Sequence, residues 1–212
     1  MKSNRLFMGL VILSFVISFL ALPYLPEQVA IHWNTAGEPD NYSHKYFGAF
    51  FMPLVIVGLL LLLNIVPKID PKKKNYEKFK SSYVIMMNSL GLVFIIIHLG
   101  TIGFNLGYNI DISFIVPLAI GVLFIIIGNY MPKFKHNYLV GIRTPWTLAN
   151  ETVWNKTHRL GGKVFVIMGL TAILTIFLEG DWRFIIFLSV TLGGVAYLFI
   201  QSYFYFKQET KS

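Results

Sequence analysis

Four ionisable residues in one short polar segment, His32, Glu38, Asp40 and His44, are of the types that hold a metal ion. Their spacing does not follow the close ligand pairs that zinc sites use. A second set, His136, Glu151 and His158, has the side chains of an acid–base group, but no spacing rule brings the three together. The sequence carries no metalloprotease helix motif, no nucleophile elbow and no phosphate-binding loop. It has no cysteine, which excludes disulfides, thiolate metal sites and cysteine nucleophiles. Neither catalysis, metal nor cofactor is expected. What remains is recognition chemistry. Arg143 carries a planar fork suited to a phosphate, a carboxylate or a backbone carbonyl, and Trp146, Trp154 and His158 follow it closely.

The elements that must position these residues are membrane spans. The chain has 212 residues, 55% hydrophobic and only 13% charged, with a mean hydropathy of +0.62, whereas a soluble domain carries about 25% charged residues. A span needs roughly 20 apolar residues. Six stretches qualify or nearly so: Leu6–Leu25, Phe47–Val66, Tyr83–Leu106, Ile112–Tyr130, Val164–Leu178 and Trp182–Phe206. The first has no small-residue cleavage site after it and reads as a retained span rather than a signal peptide. Sixteen of the eighteen basic residues then fall on one side, leaving Lys45 and Arg183 on the other. By the positive-inside rule the basic side is cytoplasmic. The expectation is an all-α membrane protein with six transmembrane helices and both termini cytoplasmic. Its net charge of +8 is accounted for by topology and by anionic membrane lipid at the inner leaflet, with no direct nucleic-acid partner.

The spans themselves carry little chemistry. His98 is the one ionisable residue deep in a span, and it reads as a neutral histidine bonded to a neighbouring helix. Without buried carboxylates an ion-coupled transporter is disfavoured. Glycines such as Gly121, Gly128 and Gly169 invite close helix packing, as does the Gly103-x-x-x-Gly107 pair. The outer segment 26–46 is different. Val29, Ile31 and Trp33 alternate with polar neighbours like a short strand, and Ala36-Gly37-Glu38-Pro39 reads as a turn. Trp33, Tyr42 and Tyr46 suit a membrane interface. This segment is either a cap over the bundle or an exterior recognition surface.

The inner loop 132–163 is long, aromatic and basic. Thr144-Pro145 is a helix start, with Thr as cap and Pro at the first position, and Gly161-Gly162 is a candidate break. A short amphipathic helix between them, linking spans 4 and 5, sets Trp146, Asn150, Trp154 and His158 on one face at intervals of four and lies along the inner membrane surface. The basic inner loop 67–82 reads as a topology determinant.

These residues also carry a resemblance. Gly141-Ile142-Arg143-Thr144-Pro145-Trp146-Thr147-Leu148, then Glu151-Thr152-Val153-Trp154 and Thr157-His158-Arg159, are similar to the hallmark of the SdpI/YfhL family of membrane proteins. Gly128–Lys133 and Lys135-x-Asn137-x-x-Gly141 fit the same pattern. Leu25-Pro26, Ile31-His32-Trp33-Asn34 and Gly37-x-x-Asp40 resemble the N-terminal domain of unknown function that accompanies it. The resemblance implies a two-span region, 1–82, followed by a four-span region, 83–212. It implies immunity to an SdpC-type toxin peptide, and signalling through an SdpR-type cytoplasmic repressor held at the membrane. On this reading Gly141, Arg143, Thr144, Pro145, Trp146, Thr147, Trp154 and His158 form a partner surface inside. His32, Trp33, Asn34, Gly37 and Asp40 are the candidates for toxin or ligand contact outside. The competing functions are a small-molecule or peptide transporter, and a membrane enzyme or metalloprotein acting at one of the two loops.

Overall fold

The computed structural model describes residues 5–210. In order, the elements are α1 (Arg5–Ala21), strands β1 (Gln28–Trp33) and β2 (Pro39–His44), α2 (Lys45–Ile69), α3 (Lys73–Asn105), α4 (Ile112–Tyr130), α5 (Pro145–Ala149), α6 (Glu151–Leu174) and α7 (Asp181–Glu209). All the helices except α5 are long and apolar enough to cross a membrane. The chain is a multi-pass membrane protein with six spans. Alternation puts the hairpin β1–β2 and the turns before α4 and α7 at one end of the bundle, the hairpin end. The turn before α3 and the long connection between α4 and α6 lie at the other, the loop end.

The span expected over Ile112–Tyr130 coincides with α4. Helices α2 and α7 run slightly past the expected ends, and α3 and α6 reach much further at the loop end. Helix α3 starts at Lys73, ten residues before the apolar run, and bends at Phe79 (φ −133°, ψ 20°). Helix α6 starts at Glu151 and runs straight through Gly161-Gly162, so the expected break there does not occur. The break falls at Asn150 instead, whose extended backbone (φ −142°, ψ 125°) separates the single turn of α5 from α6. Asn150 Oδ1 accepts the N–H groups of Thr152 and Val153 at 2.8 and 3.1 Å. Those donors have no partner within the first turn of a helix, so the side chain acts as an N-cap. Trp146 therefore does not share a helix face with Trp154 and His158.

Gly161 and Gly162 are glycines for packing, not for ending a helix. Helices α4 and α6 run antiparallel with their backbones in contact. A Cβ on Gly169 would lie 2.5 Å from the carbonyl oxygen of Gly121, and one on Gly121 would lie 2.7 Å from that of Gly169. One turn-pair along, Gly128 and Gly162 repeat the arrangement at 2.6 and 2.8 Å. Lipid tails are as apolar as side chains, so spans associate through close packing rather than through the hydrophobic effect, and small residues permit it. Gly103 and Gly107 behave otherwise. The N–H of Tyr108 donates to Gly103 (3.1 Å) and that of Gly107 to Phe104 (3.0 Å). With Gly107 at φ +87°, this is the Schellman closure of α3.

The hairpin pairs antiparallel, Gln28 opposite His44 and Ala30 opposite Tyr42. Val29 is buried against Ala21, Leu25, Ala49 and Ile102, and Ala30 beside it is buried too. The free edge of β1 is satisfied by Asn105 at the end of α3. Its Oδ1 accepts the Ala30 N–H (2.7 Å) and its amide donates to the Ala30 carbonyl (3.0 Å), which fixes the cap on the bundle. Within the bundle Ser18 of α1 meets His98 Nε2 of α3 at 3.1 Å, the interhelical bond expected of that histidine. Phe7, Leu10, Ile56, Leu60, Tyr83 and Met87 form the core of α1, α2 and α3, and Phe134 joins it from the loop end.

A bulky residue at the α4–α6 contact has nowhere to go. Gly169→Val is expected to lower the thermal midpoint of the detergent-solubilised protein, at a cost of about 1–3 kcal/mol or more. Gly193→Val, where an added Cβ meets nothing within 4 Å, is expected to leave it unchanged.

Candidate functional site

At the loop end, residues 131–150 fold into a plug between the spans, held by two buried polar side chains. Asp70, which follows α2, is 2% exposed. Its Oδ1 accepts the Lys72 N–H at 2.7 Å, and its Oδ2 accepts the N–H groups of Tyr138 (2.9 Å) and Leu139 (3.1 Å) and the Tyr76 hydroxyl (3.2 Å). Asn137 is fully buried. Its Oδ1 accepts the N–H groups of Leu139 and Val140 at 3.0 and 2.7 Å, and its amide donates to the carbonyls of Lys135 and Val140 at 2.9 and 3.0 Å. Residues 134–144 have no helix or strand to satisfy their own backbone, so these side chains do it.

The aromatic residues finish the plug. Trp154 donates from Nε1 to the Phe134 carbonyl at 2.8 Å and stacks on His158 with ring centroids 4.0 Å apart. His158 Nδ1 faces the Trp154 carbonyl at 2.9 Å, and Nε2 accepts the Ile142 N–H at 3.0 Å. This pair of partners assigns the ring proton to Nδ1. Gly141 sits at φ +116°, and a Cβ there would lie 2.3 Å from His158 Nε2. Only glycine fits both the backbone and the space. Thr144 and Thr147 cap α5 reciprocally, each side chain accepting the other's N–H, at 3.2 and 2.8 Å, as in a capping box. Thr144 also bonds Ser202 of α7 at 3.0 Å. Trp146 packs edge-on against Phe199 and tilted against Tyr203, both of α7.

Trp154, His158, Thr144 and Thr147 are therefore buried and build the loop, so the partner surface expected of them is not theirs to present in this conformation. The exposed members of that set are Gly141, Arg143 and Pro145, with Trp146 half-buried. Arg143 makes one bond, to the Tyr138 carbonyl at 3.2 Å. Sequence reasoning did not single out Asp70, Tyr76 or Lys72. The signal was an acid flanked by Ile69 and Pro71 at the head of a mainly basic segment. His136 is buried, with Lys72 Nζ donating to its Nδ1 at 2.7 Å. Burial first, then the neighbouring ammonium, push its pKa below the ordinary histidine value.

At the hairpin end, the residues singled out fold the hairpin and frame a cavity. Asn34 Oδ1 accepts the N–H groups of Ala36 and Glu38, both at 3.0 Å, and Gly37 takes φ +82°. Trp33 packs edge-on against Phe104. His32 Nδ1 and Asp40 Oδ1 pair across the strands at 2.5 Å and are exposed. Glu27 pairs with Lys45 at 2.8 Å and with His44 at 3.3 Å. The Lys45 bond holds its carboxyl below the usual range. Among the described residues no three His, Asp or Glu side chains are grouped as a metal site would need. Beneath the hairpin lies a cavity of about 760 Å³, bounded by Trp33, Met52, Ile97, Val116, Phe184 and others, with His32, Asp40 and Arg183 among its polar lining. The hairpin tip is tied to α7 by Thr35 donating to Asp181 at 2.6 Å.

A six-span bundle with a hairpin cap over a cavity at one end and a hydrogen-bonded plug at the other defines a small multi-pass membrane protein with two separately built ends. Residues 133–201, which include α5, α6 and much of α7, match the SdpI/YfhL protein family, and residues 9–57, which include the hairpin, match a domain of unknown function, DUF1648. The chain is 31% identical over 208 residues to Immunity protein SdpI of Bacillus subtilis (strain 168), covering 98% of both chains. It is also 33% identical over 55 residues to Uncharacterized membrane protein YbgB of the same organism, covering 26% of this chain and 60% of that one. The chain belongs to the SdpI/YfhL family. No solved structure matches it.

Two outcomes follow for the plug. Asp70→Ala removes the acceptor of the Lys72 and Tyr138 N–H groups, while Leu139 and the Tyr76 hydroxyl keep Asn137 Oδ1; it is expected to cost about 2–5 kcal/mol, read as a lower thermal midpoint, whereas Arg143→Ala is expected to stay within about 0.5 kcal/mol. Because the folded pKa of His136 lies below its ordinary value of 6.5, its contribution to stability is complete above that pH. It is lost as pH falls from 6.5 toward the lower folded value. The thermal midpoint is expected to drop between pH 7.5 and 5.5 (chosen as about one unit either side), and to drop less in His136→Gln.

Proposed function

We propose that this chain is an immunity protein of the cell membrane that protects its host against an SdpC-type killing peptide. The observation that carries the reading is its similarity, over 98% of its length, to a protein named as an immunity protein. The two ends of the bundle support a division of labour. The hairpin end faces outside, a reading the sorting of basic residues supports. There the hairpin residues His32, Trp33, Asn34, Gly37 and Asp40 frame the region that meets the toxin, with His32 and Asp40 at its surface. The loop end faces the cytoplasm, where Lys68 to Lys80 contact anionic lipid. The exposed Arg143, with Gly141, Pro145 and the edge of Trp146, forms the surface for an SdpR-type repressor. The two-span part, residues 1–82, supplies the hairpin; the four-span part, 83–212, supplies the plug.

The test is survival. A toxin-sensitive Bacillus strain without its own immunity protein is expected to survive SdpC-type peptide at least tenfold better when it makes this chain. No gain, with the protein present in the membrane, would overturn the reading. A fluorescent SdpR-type repressor is expected to move to the membrane in toxin-treated cells carrying the unaltered chain. It is expected to stay in the cytoplasm with Arg143→Ala, while protection persists.

A further inference from the structure

The cavity beneath the hairpin is built from both family-matched segments. Residues 9–57 supply Ile31, Trp33 and Met52, and residues 133–201 supply Thr175, Arg183, Phe184 and Phe187. Helices α3 and α4 close it with Ile97, Thr101, Val116 and Ile120. At about 760 Å³ it lies within the range of ligand sites, about 300–1,000 Å³, and its walls are mostly aliphatic and aromatic. Its polar groups gather at the hairpin and at the start of α7. Arg183 dominates them. Its guanidinium donates to the carbonyls of Ser113 (3.0 Å), Ile176 (3.3 Å) and Leu178 (3.0 Å). Its Nε is buried and has no partner.

Among the described residues no carboxylate pairs with Arg183, whereas the other cation of this end, Lys45, is paired with Glu27. Glu179, in the turn that Arg183 fastens, makes no ion pair with it among the described residues, and three other acids of this end are engaged elsewhere. Asp40 holds His32, Asp181 accepts from Thr35, and Asp111 caps α4 through the Phe114 N–H. A cation at the edge of a low-dielectric cavity, neutralised only by carbonyl dipoles, favours an anion.

We propose that this cavity is a binding site for an apolar peptide segment bearing a free carboxylate, with Arg183 receiving the carboxylate and Val116, Ile120, Phe184 and Phe187 receiving the side chains. The choice of a peptide rests on the immunity reading. It fits a lining in which Thr101, Ser113, Asn34 and Thr35 stand among the apolar walls and can meet a backbone's donors and acceptors, which an acyl chain does not offer.

The experiment uses the full chain in nanodiscs of zwitterionic lipid and a fluorescent synthetic Leu/Phe-rich hexapeptide, as the free acid and as the C-terminal amide. The free acid is expected to bind at least tenfold tighter than the amide. Arg183→Gln is expected to erase that preference and Arg183→Lys to keep part of it. Because Arg183 also fastens the turn before α7, Val116→Phe is the second variant. It narrows the cavity at the proposed side-chain seat, leaves Arg183 in place and is expected to weaken both peptides at least tenfold with an unchanged thermal midpoint. Equal binding of acid and amide, no binding of either, or binding untouched by Val116→Phe would overturn the site. So would displacement of the probe by phosphatidylglycerol but not by unlabelled peptide, which would make it a lipid site. Survival under toxin is scored separately. Peptide binding without protection would sink the immunity reading and leave the site standing. Protection undiminished in Val116→Phe cells, with no peptide binding, would do the reverse.

Discussion

The contact between α4 and α6 is the constraint on which the rest depends. Four glycines, Gly121, Gly128, Gly162 and Gly169, let two backbones touch along two successive crossings. That contact carries α6 straight through Gly161-Gly162 to the loop end, where Trp154 and His158 stand under the connection from α4. Toward the other end the same pair of helices leads to one wall of the cavity, with Val116 and Ile120 on α4 and Thr175 just past α6. A wider spacing would open the plug and change the cavity together. In lipid no hydrophobic gain would draw the two helices back, so shape must hold them.

The plug shows how a long polar connection is kept ordered beside a membrane. Asp70 and Asn137 between them take up four backbone N–H bonds of the loop through Tyr138, Leu139 and Val140. Among the described residues the Asp70 carboxylate has no salt bridge, but it accepts from several donors, the arrangement that makes a buried polar group tolerable. His158 and Gly141 then fix the next turn of the chain. The stretch Gly141–His158 is thus largely a set of folding instructions, and Arg143 is among its exposed members.

Much of this was legible in the sequence because membrane spans obey simple rules. Six membrane-crossing helices stand where the six apolar runs were read, Val29–Trp33 lies in a strand with two register shifts, and the turn falls at residues 34–38, with Pro39 opening the second strand. His98 finds its interhelical partner. What was not legible depends on long-range contact. Spacing alone made a continuous helix from Thr144 to Gly161, because four-residue intervals look helical; Asn150 breaks it by turning its own side chain into a cap. Gly161-Gly162 read as a stop because glycine ends helices in water, and only the partner helix shows that it is a seat. Asp70 passed as one acid in a basic loop, since the donors it satisfies lie some seventy residues away, in the Tyr138–Leu139 turn. The cavity has no local signature at all.

The account requires the hairpin and its cavity to face outside and the plug to face the cytoplasm. The natural absence of cysteine makes that directly measurable with single-cysteine variants and a membrane-impermeant maleimide on intact cells. Asn34→Cys, at the exposed hairpin turn, is predicted to label in intact cells, and Arg143→Cys to label only after the membrane is permeabilised. Labelling of Arg143→Cys in intact cells, with Asn34→Cys protected, would contradict the account.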